Sequence, residues 1–99
     1  MVTRVQAENV LSALRSKKPR EFSSHDFIDE YCAQYETAYL DWLYRYRGTN
    51  RAFWKVHQLI GNYLSRNEEK RMPLYRRTHR ADSENVHGMI DRPMWWEWV

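Results

Sequence analysis

Apolar residues recur at helical intervals in three stretches of the chain, after which the pattern breaks down. The first stretch, 3–16, sets Val5, Val10, Leu11, Ala13 and Leu14 on a rough stripe behind Thr3, a suitable helix N-cap. Ser16-Lys17-Lys18-Pro19 ends it, because the residue before a proline is pushed out of the helical region. The second stretch is the most regular. Ile28, Cys32, Tyr35, Tyr39, Trp42 and Tyr46 alternate at spacings of four and three, and Phe27, Tyr31, Ala38 and Leu43 widen the stripe. Ser23 and Asp26 form a helix-start signal, and Gly48 stands where the helix should stop. The pattern predicts one helix over 24–47, about 36 Å long at about 1.5 Å per residue. A third helix is expected over 50–66, capped by Thr49 or Asn50. It should bury Ala52, Phe53, Val56, Leu59, Ile60, Tyr63 and Leu64. The short link Gly48-Thr49-Asn50 makes the second and third helices neighbours.

Past Asn67 the helical period is lost. Residues 67–73 read as a loop, 74–80 as a short basic segment with β character, and 82–85 as a turn. The tail Met94-Trp95-Trp96-Glu97-Trp98-Val99 can return as a strand, giving a ribbon from 74–80 and 94–99. The expected fold is therefore mainly α: three helices with a long central helix, and a short C-terminal β-ribbon. One domain, 1–99, is expected, with 1–20 loosely attached.

Charge sharpens this picture. The net charge is +3, but it is distributed in blocks. Residues 1–20 carry five basic and one acidic residue, and 21–41 carry six acidic and no Lys or Arg. Residues 45–80 carry ten basic and two acidic residues, and 81–99 carry one basic and four acidic. Such segregation gives the folded chain a polarised field. The single cysteine, Cys32, allows no intrachain disulfide, and no apolar run reaches the length of a membrane span or of a signal-peptide core. A cytoplasmic location is the expectation.

The sharpest chemistry lies on the third helix. Projected at about 100° per residue, Arg51, Lys55, Gln58 and Asn62 share one polar side with Trp54, and 50–66 hold no carboxylate. Arg and Lys pair with guanine edges or phosphates, and Gln and Asn pair with adenine. Arg76, Arg77 and Arg80 follow in the basic segment and are suited to holding phosphates. The order of helix, helix, short turn, basic helix and basic ribbon resembles a winged-helix DNA-binding domain. Gly48 to Arg80 carries the likeness, through Arg51, Lys55, Gln58, Asn62 and the Arg76–Arg80 run. It implies helix-turn-helix contact with duplex DNA.

Other chemistries are poorly supported. The four histidines match no zinc spacing, and one cysteine cannot complete a thiolate site, so no metal or cofactor is expected. Cys32 sits within the apolar stripe and reads as a buried thiol; neither a phosphate loop nor a nucleophile elbow is present. The chain is expected to be a non-enzymatic DNA-binding or DNA-associated regulatory protein. The alternative is a protein-interaction module, either a homodimer or a small inhibitor or accessory protein docking on a larger acidic or nucleic-acid-processing partner. The second helix's wide aromatic stripe motivates that alternative, because the other helices do not obviously cover it. The three tail tryptophans are expected to close the core, since leaving them exposed would make a sticky patch.

Overall fold

The computed structural model describes residues 2–80, 83–84, 90–91 and 93–99, the side chains of 79, 80, 83, 84, 90 and 91 excepted. The order is α1 (Arg4–Lys17), β1 (Glu21–Ser23), α2 (Ser24–Gln34), α3 (Glu36–Arg45), a one-turn 3-10 segment (Arg47–Thr49), α4 (Ala52–Arg66), β2 (Tyr75–Arg80), β3 (Ser83–Glu84), β4 (Ile90–Asp91) and β5 (Met94–Trp98). It is mostly helical with a small antiparallel sheet, and the described residues hold four α-helices rather than the three expected.

Local chemistry starts the first two helices. The Thr3 hydroxyl accepts from the Gln6 amide at 3.1 Å while the Gln6 side chain accepts from the Thr3 amide, a full capping box. Ser23 and Asp26 repeat the arrangement for α2, at 3.1 and 2.9 Å. Residues 1–20 were expected to attach loosely, yet α1 buries Ala7, Val10, Leu11 and Leu14 in the common core and packs along α2. Val5, at 68% exposure, is the one stripe residue of α1 that faces water.

The long central helix is broken at Tyr35, whose φ of −125° and ψ of 50° leave the helical region. No glycine or proline lies there, so the break has a tertiary cause. Asn9 of α1 donates to the Tyr35 hydroxyl at 2.9 Å, and the Gln34 side chain donates to the Asn9 carbonyl at 3.4 Å. The bend lets α2 contact both α1 and α4 while α3 turns to run along α4. The corner after α3 also differs from expectation. Asn50, not Gly48, takes the left-handed conformation (φ 59°), which asparagine tolerates better than most side chains.

The ribbon between 75–80 and 94–98 forms, with Arg76 opposite Glu97 and Arg77 opposite Trp96. A third strand not foreseen, β1, adds to β5 on its other edge, giving the order β1-β5-β2. Phe22, Tyr75 and Trp96, one from each strand, are fully buried, and Tyr75 meets both other rings edge-on. Their polar atoms are satisfied as a buried Tyr or Trp requires. The Tyr75 hydroxyl donates to the Leu64 carbonyl at 2.9 Å, and Trp96 Nε1 donates to Ser24 Oγ at 3.1 Å. Trp98, half-buried, donates to the Lys18 carbonyl at 2.7 Å and so fastens the end of α1 to the sheet. The tail tryptophans thus close the core. Opposite the sheet stand Val56, Ile60 and Leu64 of α4 and Phe27, Ile28 and Tyr31 of α2.

Candidate functional site

The corner joining α3 to α4 is built from local bonds and little else. Thr49 Oγ1 donates to the Tyr46 carbonyl at 2.8 Å and accepts from the Arg51 amide at 3.1 Å. This replaces the expected role of Thr49 or Asn50 as a helix cap. Arg51 occupies the N-cap position, and no side chain caps α4. The first turn of α4 holds no acidic residue, so the positive end of its dipole coincides with Arg51 and Lys55.

The face expected from the sequence stands in solvent. Arg51, Gln58 and Asn62 are exposed and Lys55 is half-buried. Between Asp41 and Glu68 the chain has no carboxylate, while it carries Arg45, Arg47, Arg51, Lys55 and Arg66. Among the described residues no carboxylate forms an ion pair with any of these five. Two carboxylates of α2 are paired elsewhere: Glu30 with Lys17 at 2.9 Å, and Asp26 with Lys18 at 3.9 Å.

Aromatic rings accompany the cations. Tyr44, Phe53 and Trp54 are 67%, 50% and 58% exposed, and Leu40, one turn before Tyr44, is also exposed. The Arg47 guanidinium lies 3.9 Å above the Tyr44 ring, and its Nη1 donates to the Tyr44 carbonyl at 2.9 Å. The Arg51 guanidinium lies 5.6 Å from the Trp54 centroid. Phe53 was expected in the core, but the short α3 does not cover the first turn of α4, and Phe53 is half exposed with its ring set edge-on to His57, at 6.2 Å. One turn on, His57 stacks on Tyr39 and shares a hydrogen bond with its hydroxyl. This polar pair links α3 to α4.

The wing arginines are placed differently. Arg76 Nε lies 2.6 Å from Glu97, its cross-strand partner. Arg77 lies 3.7 Å from Glu68 and over the Trp96 ring, and its amide donates to Glu68 at 2.6 Å. Both are tied down intramolecularly, by Glu97 and Glu68 rather than by the carboxylates of α2. Their strand meets α4 in its last turn through Tyr75 and Leu64, about 20 Å along the helix from Arg51 at about 1.5 Å per residue. The structure does not gather Arg76 and Arg77 with the α4 face. The side chains of His79 and Arg80 lie outside the described residues, as do Asp82, Asn85 and His87; within the expected 82–85 turn, Ser83–Glu84 form strand β3.

Burial pushes the Cys32 thiol up to about 12, Asp29 adds to the rise, and a hydrogen bond with Tyr39 opposes it. Burial likewise raises Tyr39 and Tyr75 well above an ordinary phenol. The concavity at the α2–α3 junction is lined by Gln34, Tyr35, Glu36, Thr37, Asp41 and two alanines, and holds no His, Cys or Lys. No group of three metal-ligating side chains occurs among the described residues, and no described helix is long and apolar enough to cross a membrane. The chain matched no protein-family model, no curated protein and no solved structure.

Proposed function

We propose that this chain is a small non-enzymatic DNA-binding protein of regulatory type, which docks the free face of α4 on nucleic acid. One observation carries the reading: Arg51, Lys55, Gln58 and Asn62 occupy the solvent side of a helix whose surroundings hold no neutralising carboxylate among the described residues. A structural surface helix mixes both signs and pairs them, as α1 does with Arg4 and Glu8. Here the cations stand beside amide side chains able to read base edges, on a cylinder that a major groove about 12 Å wide admits. From Arg51 to Asn62 the face spans about 16 Å, or roughly five base-pair steps.

Element order supports the same reading. A helix, a strand, further helices, a basic helix and a terminal antiparallel pair, with the sheet ordered β1-β5-β2, are elements that a winged-helix arrangement would use. Two features depart from it. The segment before α4 is two helices, and the wing arginines Arg76 and Arg77 are engaged at home. Exposed pairs of this kind are weak, about 0–1 kcal/mol each, so phosphates could compete for them. They are secondary contacts in this reading.

The test is a salt-titrated binding assay on random duplex of about 20 base pairs. With Arg45, Arg47, Arg51 and Lys55 as phosphate contacts, log affinity should fall by about 3–4 per decade of salt. Arg51→Glu with Lys55→Glu should abolish binding and leave the far-UV circular dichroism unchanged. Undiminished binding by that double variant would remove the reading.

A further inference from the structure

The corner that presents Arg47 and Arg51 also presents three exposed rings, and duplex DNA read by α4 alone leaves those rings without a role. Tyr44 is the penultimate residue of α3, while Phe53 and Trp54 are the second and third of α4; one 3-10 turn separates them. Each is at least half exposed. Rings this large are normally drawn inward, as Tyr31, Tyr75 and Trp96 are here. A group of them at a single corner marks a surface that meets something.

Charge selects the occupant. A second copy of the chain would bring the same carboxylate-free face against itself in a two-fold contact, cation to cation. An apolar protein surface laid over the rings would also bury the guanidinium groups that lie against Tyr44 and Trp54, with no partner to neutralise them. A nucleic-acid strand with unpaired bases satisfies both features at once. Its phosphates take the arginines, and its bases stack on the ring faces, an arrangement general to proteins that hold single strands. Paired bases cannot do this, because their faces are already stacked within the duplex.

We infer that the corner formed by Tyr44, Phe53 and Trp54 with Arg47 and Arg51 holds unpaired bases, so that the chain's target is a duplex bordered by a single-stranded segment. The inference rests on the nucleic-acid reading above and narrows it. α4 grips the paired part, and the corner at its N-terminal end takes the strand that leaves it.

The experiment compares a blunt duplex, the same duplex with a tail of about six unpaired thymidines, and the unpaired strand alone, by fluorescence anisotropy of labelled DNA. The tailed duplex should bind on the order of tenfold more tightly than the blunt one. Tyr44→Ala with Trp54→Ala should erase that advantage, so that this variant binds the tailed and the blunt duplex equally. Both side chains are exposed, and circular dichroism verifies that the variant folds. Arg51→Glu with Lys55→Glu should abolish binding to every DNA. Equal affinity for blunt and tailed duplexes overturns the inference and leaves the function standing, whereas no binding to any DNA overturns both. Polyglutamate displacing the tailed duplex as well as unlabelled DNA does would assign the corner to an acidic protein. A wild-type dimer in sedimentation that Tyr44→Ala with Trp54→Ala renders monomeric would assign it to self-association. Either result overturns the inference.

Discussion

Two halves of this molecule follow opposite rules. Where α1, β1, α2 and the sheet meet, both helices start with complete capping boxes, carboxylates are paired with lysines, and the buried indole and phenol groups have hydrogen-bond partners. At the α3–α4 corner the helix start is uncapped, four cations lack carboxylate partners among the described residues, and three aromatic rings face water. A chain of this size stays folded by a small margin, about 5–15 kcal/mol. The first half supplies that margin through ordinary burial and capping. The second leaves capping and burial incomplete, and departures of this kind cluster at surfaces kept for a partner. On the proposed function, the contrast separates residues that hold the fold from residues that use it, and each half yields variants that can break it.

The largest effect belongs to Trp96. It is fully buried, stacked edge-on with Tyr75 and bonded to Ser24. Trp96→Ala should destabilise the protein by about 3–5 kcal/mol in urea unfolding, whereas Trp54→Ala should stay within about 0.5 kcal/mol of wild type. Equal losses at the two positions would mean that the corner is structural after all.

Caps give the next contrast. Ser23→Ala removes the side-chain acceptor of the α2 capping box and should cost about 1 kcal/mol. At the equivalent place in α4, Arg51→Asp takes a cation from the positive end of the dipole and supplies an anion. Stability should rise by about 0.5–1 kcal/mol while DNA affinity collapses. Opposite signs for stability and binding in one substitution would be the signature of a helix start kept unfavourable for function. A variant less stable than wild type would show instead that Arg51 holds the corner together.

What the sequence could reveal divides along the same line. Local signals were legible: Thr3 and Ser23 as caps, the α4 face, and the ribbon of 75–80 with 94–98. Features set by distant partners were not. Glu21-Phe22-Ser23 is too short to show a period and is a strand only because β5 pairs with it. The break at Tyr35 has no local breaker and depends on Asn9, 26 residues away. The partner of Arg76 could not be named without the register that sets it opposite Glu97. Phe53 was placed inside because a helical projection gives its angle but not how far α3 extends to cover it. A signal for the corner was available all the same, in the absence of any carboxylate from 42 to 67 around a run rich in rings and arginines.

The smallest expected effect tests the ordered half by pH. Glu30 is held below its ordinary value of 4.5, chiefly by the Lys17 hydrogen bond; burial opposes this and Gln34 assists it. A carboxyl depressed in the folded state stabilises the protein above its unfolded value, and the contribution fades as pH falls through the folded value. Lys17 is largely exposed, so solvent screens the pair and its worth is about 0.5 kcal/mol. Lys17→Met should therefore lower stability by roughly that amount near pH 7, and the gap from wild type should narrow as pH falls below the ordinary carboxylate value of 4.5 and Glu30 takes up its proton. Lys17 also lies in the last turn of α1, where its charge favours the helix end whatever the state of Glu30. That share should survive in acid, so the gap narrows without closing. A gap that stays constant from about pH 7 to about pH 3 would assign the whole effect to the helix end and none to the ion pair.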